Sequence, residues 1–320
     1  MAYTLVTRRL LPGSLDPLSH YELKVNDSDR PLSHDQLLEQ VQGANALICL
    51  PGDLVDAEVI EAGTTLSVIA TVSVGFDHID LSAASRSGIP VCHTPDVLDE
   101  ATADLAFGLI IAAARRMGEA ERDLRSLSWQ GWAVDQYLGL ELNGATLGIV
   151  GFGRIGKAVA RRALGFGMQV IHHSRHPSGE AGYFPDLDQM LSISDVVSLH
   201  VPLTEETRHL IDARRFALMK DTAVLVNTSR GAVVDEEALA DALTEGRIFA
   251  AGIDVYEQEP SVHPKLLSAP RAVLLPHIGS ATTATRTAMA SRAVADVKAV
   301  LEGRRPIYLL NPEVFAGGGS

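Results

Sequence analysis

Short apolar runs alternate with stretches of helical periodicity along most of the chain. Apolar runs of roughly four to eight residues are typical of buried strands, whereas apolar positions that recur about every three to four residues are typical of helices. In the first part of the chain, the predicted strands span 3–7, 46–50, 66–72 and 89–93, and the predicted helices span 34–41 and 55–62. Residues 12–31 are polar and rich in turn residues, which predicts a loop.

A second alternating series follows two helical stretches, predicted at 99–116 and 119–127. The predicted strands of this series span 147–150, 169–173, 196–200, 223–227, 250–254 and 272–275. Its predicted helices span 157–164, 188–191, 212–219 and 235–244. A last long helix is predicted at 283–302, and a short strand at 306–310.

Two series of this kind predict an α/β protein with two doubly wound lobes, each a parallel sheet of the Rossmann or flavodoxin-like type, and a cleft between them. One lobe is expected to be discontinuous, because the last helix and the tail are predicted to return to it. The expected bounds are 1–98 plus 287–320 for this lobe and 99–286 for the other.

The motif G-F-G-R-I-G at 151–156 lies between a predicted strand and a predicted helix. Gly151 permits the tight turn, Gly153 lets a pyrophosphate approach the backbone, and Gly156 lets the helix pack close to the strand. The N-terminus of the helix then faces the phosphate charge. Such a motif alone is also typical of an ordinary turn, but its flanks favour dinucleotide binding.

The end of the next predicted strand bears on the choice of cofactor. A dinucleotide fold usually carries an Asp or Glu about 20 residues beyond the glycines, where it binds the ribose hydroxyls. Here Ser174, Arg175 and His176 occupy that corner. Arg binds a phosphate through paired hydrogen bonds, and Ser adds a donor. We therefore expect NADPH to be preferred and NADH to be a weaker cofactor; the alternative is a solvated basic turn.

Composition and charge narrow the classes of function. Hydrophobic residues make up 46% and charged residues 21%, as in a globular protein with a sizeable core. The formal net charge of -13 argues against nucleic-acid and membrane partners, which reward Lys and Arg, but leaves an anionic substrate open. Cys49 and Cys92 lack metal-site spacing, so two reduced thiols and no metal are expected. The longest apolar run, 105–114, is too short to cross a bilayer, and we expect a soluble cytoplasmic protein.

Three polar residues of the second series, Arg230, Glu259 and His277, each come shortly after the end of a predicted strand. Strand carboxyl ends are where doubly wound folds bind ligands. An Arg there can hold a carboxylate and polarise a carbonyl, and a His there can act as a general acid and base. Taken singly, the three are equally typical of a surface Arg, a solvated acid and a structural His.

In combination, the motifs resemble those of the D-isomer-specific 2-hydroxyacid dehydrogenases. The motifs are G-F-G-R-I-G at 151–156, N-T-S-R-G at 227–231 with V-D-E at 234–236, D-V-Y-E-Q-E-P at 254–260, and H-I-G-S-A-T at 277–282. The resemblance runs from about residue 67 to residue 292. The glyoxylate/hydroxypyruvate reductases are the most similar subgroup, through S-V-G-F-D-H at 73–78, H-T-P-D-V-L at 93–98, and the pair Trp129 and Trp132.

This resemblance implies that a homodimer reduces a small 2-oxoacid, of the glyoxylate or hydroxypyruvate type, to the D-2-hydroxyacid. It implies that Arg230 binds the substrate, that His277 donates and accepts the proton, and that Glu259 is the carboxylate partner of His277. The discontinuous lobe would bind the substrate, and the other lobe the dinucleotide. The implied substrate contacts are Leu50, Ser73, Val74, Gly75, Trp132 and Arg286. The implied cofactor contacts are Thr102, Gly151, Gly153, Arg154, Ile155, Ser174, Arg175, His176, Val201, Pro202, Thr207, Thr228, Ser229, Asp254, Gly279 and Ser280.

Other proteins of the same fold class provide the alternatives. Formate dehydrogenases have Gln at the position of Glu259, and 3-phosphoglycerate dehydrogenases usually have an acid at that of Ser174, so both are disfavoured. The C-terminal-binding-protein corepressors use the fold as a nucleotide-sensing binding module and can retain the catalytic residues, although the acidic net charge argues against this reading. A dehydrogenase for a bulkier 2-oxoacid is the second alternative.

Overall fold

The computed structural model describes residues 3–28, 30–177 and 179–316. The chain folds into two compact units, of which Met1–Leu98 and Ala281–Ser320 form the first and Asp99–Ser280 the second. The chain returns to the first unit at residue 281 rather than at the predicted 287. The last long helix begins at Thr283, capped by the Thr282 hydroxyl, and packs against strands of the first unit, so the whole helix belongs to that unit.

The secondary-structure elements are numbered in chain order. The strands are β1 (Tyr3–Val6), β2 (Glu22–Val25), β3 (Ala44–Cys49), β4 (Val68–Thr71), β5 (Val91–Cys92), β6 (Thr146–Val150), β7 (Gln169–His173), β8 (Val196–Leu199), β9 (Val224–Asn227), β10 (Ala250–Ile253) and β11 (Ala272–Leu274). The helices are α1 (His34–Val41), α2 (Ala57–Ala62), α3 (Leu81–Arg86), α4 (Asp99–Ala114), α5 (Met117–Arg125), α6 (Arg154–Gly165), α7 (Leu187–Ile193), α8 (Ala213–Phe216), α9 (Glu236–Thr244), α10 (Pro264–Ser268), α11 (Thr283–Leu301) and α12 (Glu313–Ala316).

The first unit contains a five-stranded parallel sheet in the order β2-β1-β3-β4-β5. Leu47 and Ile69 pack in one hydrophobic core with apolar residues of α1, α2 and α3. Their neighbours Ile48 and Ala70 point to the opposite face, because successive strand side chains alternate. These residues are buried too, since α11 packs against β3 and β4. A parallel sheet covered on both faces is the predicted architecture.

Strand β2 lies inside the predicted loop 12–31, and that prediction was wrong. Glu22 and Lys24 are exposed while Leu23 and Val25 are half-buried, as in an edge strand that pairs with β1 alone. Because every second position of this strand is polar, its apolar content is low and the sequence pattern predicts a loop.

The predicted strand 306–310 is not a strand. The carboxylate of Asp296, which is 2% exposed, accepts the N–H of Ile307 at 2.8 Å and that of Tyr308 at 3.2 Å. This stretch makes one isolated antiparallel bridge, between Leu309 and Cys92. Side-chain acceptors therefore take the backbone donors that a regular ladder would use.

The second unit contains a six-stranded parallel sheet in the order β11-β10-β9-β8-β6-β7. The chain runs outward from β6 to β7 and then crosses to β8 on the other side, so the strand order reverses at β6. Helix α4 covers β9 and β10, and Gly252 permits this because an added Cβ would lie 2.9 Å from that of Leu109. In open α/β sheets, ligands bind beyond the strand carboxyl ends at the point of reversal. The predicted fold class, two α/β lobes built on parallel sheets, is confirmed.

No helix in the described part of the chain has the length and hydropathy that a membrane crossing requires.

Candidate active site

The glycine loop occupies the reversal point, between β6 and α6. Gly151 has φ of +94°, and a Cβ on it would lie 2.5 Å from the carbonyl oxygen of His200. A Cβ on Gly156 would lie 2.3 Å from the carbonyl oxygen of Gly151, whereas nothing lies within 4 Å of one on Gly153. Gly153 is the N-cap of α6 and offers no capping side chain, so the helix N-terminus is left for an external acceptor. This cradle fits the pyrophosphate of a dinucleotide.

Arg154 and Ile155 open α6 immediately after the cradle. The guanidinium of Arg154 forms an ion pair with Asp99 at 3.1 Å, and more than half of its side chain is exposed. Asp99 is the first residue of α4, so this pair joins the glycine loop to the helix on which the second unit begins.

The turn after β8 provides the next predicted cofactor contacts. The Thr207 hydroxyl donates to the Pro202 carbonyl oxygen at 2.7 Å and accepts the N–H of Thr204 at 2.7 Å. Thr207 is buried, whereas Val201 and Pro202 are at least partly exposed beside the glycine loop. Thr207 therefore holds the turn, whereas Val201 and Pro202 are the residues of this turn that a ligand can reach.

The loop after β9 is shaped by Asn227, which is 1% exposed. Its side-chain oxygen accepts the hydroxyl of Ser229 at 2.7 Å and the N–H of Ser229 at 3.0 Å, and its amide donates to the carbonyl oxygen of Arg230 at 2.9 Å. The hydroxyl oxygen of Thr228 is buried and has no hydrogen-bond partner among the described residues. Buried hydroxyls are normally hydrogen-bonded, so this one fits a contact with a bound molecule.

The corner after β7 holds Ser174, Arg175 and His176, and the last two are exposed. The Ser174 hydroxyl donates to the carbonyl oxygen of His176 at 2.7 Å. An acid from elsewhere in the chain also approaches this corner. A hydrogen bond from Thr204 lowers the pKa of Glu206, and the nearby positive charge of Arg175 lowers it further. The sequence did not predict Glu206 as part of this corner, because Glu206 follows β8 rather than β7.

His277 and Glu259 form a hydrogen-bonded pair, with Nδ1 of His277 2.7 Å from Oε2 of Glu259. Since a carboxylate oxygen only accepts, Nδ1 carries the proton and Nε2 faces away from the pair. The other oxygen, Oε1, accepts the N–H of Tyr256 at 3.0 Å. About a third of each side chain is exposed, 33% and 32%, so the pair is fixed in place and still open to a ligand.

Several neighbouring groups shift the pKa of the Glu259 carboxyl. Burial raises the pKa of this carboxyl, but the hydrogen bond and charge of His277, the N–H of Tyr256 and the charge of Arg230 lower it below its usual value in sum. Arg230 therefore lies close enough to act on the pair, and its Nη1 donates to the carbonyl oxygen of Ser229 at 2.8 Å. The structure brings Arg230, Glu259 and His277 to the same end of one sheet.

Asp254, at the end of β10, holds the turn that carries His277. His277 has φ of +54°, which is uncommon for any residue other than glycine. Its N–H donates to the Asp254 carbonyl oxygen at 2.9 Å, and the two carboxylate oxygens accept the N–H groups of Ile278 and Gly279, both at 2.8 Å. Asp254 is 1% exposed, and burial raises its pKa despite these bonds. Sequence reasoning assigned Asp254 to the cofactor and missed this role.

Thr102 and Ser280 complete the predicted cofactor set on the second unit. A Cβ on Gly279 would lie 3.6 Å from the methyl group of Thr102, so the two residues pack against each other. Ser280 follows directly and is partly exposed. Trp132, predicted to contact substrate, also belongs to the second unit and is 83% exposed.

The remaining predicted substrate contacts belong to the first unit. The Ser73 hydroxyl donates to the Gly75 carbonyl oxygen at 2.6 Å, and His93 donates to the Val74 carbonyl oxygen at 3.0 Å, so the loop after β4 is held by side chains. Leu50 follows β3, and its N–H donates to the buried carboxylate of Asp53 at 2.7 Å. Arg286 is exposed in the first turn of α11.

Comparison with known proteins identifies the kind of site. Residues 107–279 match the model of the NAD-binding domain of D-isomer specific 2-hydroxyacid dehydrogenases. The glyoxylate reductase of Thermococcus onnurineus (strain NA1) is 44% identical, over 97% of this chain and 96% of its own.

Solved structures agree with the sequence comparison. A protein of Thermus thermophilus has a TM-score of 0.91 at 48% identity, covering 97% of this chain and 100% of that one. An NADPH-dependent glyoxylate/hydroxypyruvate reductase of Sinorhizobium meliloti, in complex with NADP and malonate, has a TM-score of 0.85 at 34% identity, covering 97% and 96%. The chain belongs to the D-isomer specific 2-hydroxyacid dehydrogenases and is a nicotinamide-dependent oxidoreductase.

Proposed function

We propose that this enzyme reduces glyoxylate or hydroxypyruvate to the D-2-hydroxyacid, with NADPH as the preferred cofactor and His277 as the proton donor. The observation that carries the proposal is the 2.7 Å contact between His277 Nδ1 and Glu259 Oε2. The names of the Thermococcus and Sinorhizobium relatives support the choice of substrate.

In this mechanism, His277 presents Nε2 to the carbonyl oxygen of the 2-oxoacid while Glu259 holds the ring through Nδ1. The protonated ring gives its Nε2 proton as the oxygen gains negative charge, while the hydrogen bond to the carboxylate keeps the ring oriented. Arg230 holds the substrate carboxylate and stabilises the developing charge. When bound, the reduced nicotinamide supplies the hydride.

The substrate carboxylate is assigned to the backbone of Val74 and Gly75, in a loop braced by the Ser73 hydroxyl. Leu50 and Arg286 are assigned to the pocket wall. The loop assignment rests on the resemblance of the 73–78 stretch to that of the reductases, and the Leu50 and Arg286 assignments rest on the resemblance to the family.

The cofactor is assigned to the glycine loop and the N-terminus of α6 for its pyrophosphate, and to Arg175 with Ser174 and His176 for its 2′-phosphate. Arg175 is exposed, as a residue that meets a charged ligand must be. Glu206 beside Arg175 attenuates the preference, because its charge competes with the phosphate for the guanidinium.

A homodimer is part of the proposal. Large apolar side chains stand exposed along one stretch of the second unit, and a patch of this kind is typical of an interface. They are Met117, Leu124, Leu127, Trp129, Trp132, Val134 and Leu138. A reducing compartment, the cytoplasm, is proposed because Cys49 and Cys92 are buried free thiols.

A panel of 2-oxoacids tested with both cofactors examines the proposal. The expected result is the highest kcat/KM with glyoxylate or hydroxypyruvate and NADPH. A higher kcat/KM with a branched or aromatic 2-oxoacid would replace the substrate assignment, and a higher kcat/KM with NADH would overturn the cofactor assignment.

A further inference from the structure

The loop that carries Glu259 is closed at its base by one buried carboxylate. Glu236, the first residue of α9, is 5% exposed. Its Oε1 accepts the N–H of Glu257 at 2.5 Å, and its Oε2 accepts the N–H of His263 at 3.1 Å. These two donors stand on either side of Glu259 in the chain, so a single side chain ties together both ends of the segment 257–263.

The contact between Glu236 and Glu257 is reciprocal. Its Oε1 accepts the N–H of Glu236 at 3.0 Å, and its Oε2 lies 2.9 Å from Nε2 of His209. Burial raises the pKa of Glu257, but the Glu236 N–H and the His209 hydrogen bond lower it below its usual value in sum. The base of the loop is therefore held from both sides by carboxylates that accept N–H donors.

The peptide that Glu236 holds also contacts the loop of Arg230. A Cβ on Gly231 would lie 1.8 Å from the carbonyl carbon of Tyr256 and 2.3 Å from the backbone nitrogen of Glu257. Only glycine leaves room for so close an approach. The Tyr256–Glu257 peptide is thus held between α9 and the residue next to Arg230.

We propose that Glu236 is a positioning residue for the reaction, and that it acts through Glu259. By fixing the segment 257–263, it keeps Glu259 Oε2 in hydrogen-bond reach of His277 Nδ1. This inference rests on the proposed roles of Glu259 and His277. A charged carboxylate is needed because it accepts at both oxygens, whereas the amide of Gln accepts at one and donates at the other.

A double-mutant cycle tests the proposal with the full-length enzyme and NADPH. Glu236→Gln should lower kcat about 10- to 100-fold, because a displacement of about 1 Å at a reacting group costs that much, and should leave the KM for NADPH within about twofold. The double variant with Glu259→Gln should turn over as slowly as Glu259→Gln alone, since Glu236 acts only through that residue. The matched control is Glu237→Gln, an exposed neighbour on the same helix, which should keep native turnover.

Native-like kcat in Glu236→Gln, or losses that multiply in the double variant, would overturn the positioning role. If Glu236→Gln does not fold, Glu236→Asp replaces it in the same cycle, because it keeps the carboxylate but shortens its reach to the N–H groups of Glu257 and His263. His277→Asn, measured alongside, separates the two proposals: an active His277→Asn defeats the proposed function. If His277→Asn is inactive and the losses multiply in the double variant, the proposed function stands and only the positioning role is overturned.

Discussion

Asp254 binds the backbone of His277 and of the two residues after it, and so holds His277 at a φ of +54°. Residues in sparsely populated backbone conformations cost about 1–3 kcal/mol and persist where their surroundings hold them. The side chain of the same His277 is held by Glu259. The backbone turn is therefore held by the carbonyl oxygen and the carboxylate of Asp254, and the ring by the carboxylate of Glu259, which is what the proposed proton donor requires to keep one productive direction.

The first prediction concerns Asp254→Asn. One backbone N–H of the turn loses its acceptor, since the amide nitrogen cannot accept. We expect the free energy of unfolding to fall by about 1–3 kcal/mol and kcat to fall about tenfold or more. Urea unfolding and steady-state kinetics measure these changes. Asp241→Asn, at an exposed site, is the matched control and should change neither. Native stability and turnover in Asp254→Asn would show that the turn does not depend on the Asp254 carboxylate.

The second prediction concerns cofactor choice. Glu206→Gln removes the negative charge beside Arg175, and Arg175→Gln removes the positive one. The charge of Arg175 lowers the pKa of Glu206, so the two charges interact, and the ratio of kcat/KM for NADPH to that for NADH should rise about two- to fivefold in Glu206→Gln. It should fall in Arg175→Gln. Glu205→Gln, the exposed neighbour, is the control, and equal ratios in all variants would refute the assignment of the 2′-phosphate.

The third prediction concerns stability against pH. Burial lowers the pKa of His200 from 6.5 to about 4. Between these values the unfolded chain binds more protons, so stability falls as pH is lowered through this range, by about 3 kcal/mol in total. His200→Gln, whose amide can keep the contact with Ser198, should lose this component. Urea midpoints measured across the range decide the matter. Parallel curves for both proteins would mean that His200 does not cause the slope.

The fourth prediction concerns assembly. Leu127 is 83% exposed within the apolar stretch 117–138 of the second unit. We expect the native enzyme to sediment as a dimer and Leu127→Glu to sediment as a monomer, because a charge buried in an apolar interface is costly. Leu267→Glu, at a 64% exposed leucine outside this stretch, is the control and should stay dimeric. A monomeric native enzyme would remove the dimer from the account.

Much of the site could be predicted from local pattern. The glycine loop has an uninterrupted strand before it and a helix after it, and Arg230, Glu259 and His277 each follow a strand, so periodicity alone brings them to one edge of a sheet. Strand β2 was missed because an edge strand with polar residues at alternate positions has little apolar signal.

Other features depend on contacts between segments far apart in the chain. Asp254 binds residues 278 and 279, Glu206 approaches Arg175, and Glu236 closes the 257–263 loop. An acid that follows a strand or opens a helix is typical of a solvated position in the sequence, and only the fold shows which groups it contacts. No spacing rule distinguishes these three acids from ordinary surface carboxylates.

The central claim is that His277 donates the proton, and turnover by His277→Asn tests it most directly. General acid catalysis contributes about 10²–10⁴-fold, so kcat for glyoxylate reduction with NADPH should fall by that factor. The Kd for NADPH, measured by fluorescence titration, should stay within about twofold of native, because the cofactor is assigned to the glycine loop and the β7 corner. A variant that binds NADPH and reduces glyoxylate at a rate within a few-fold of native would contradict the account.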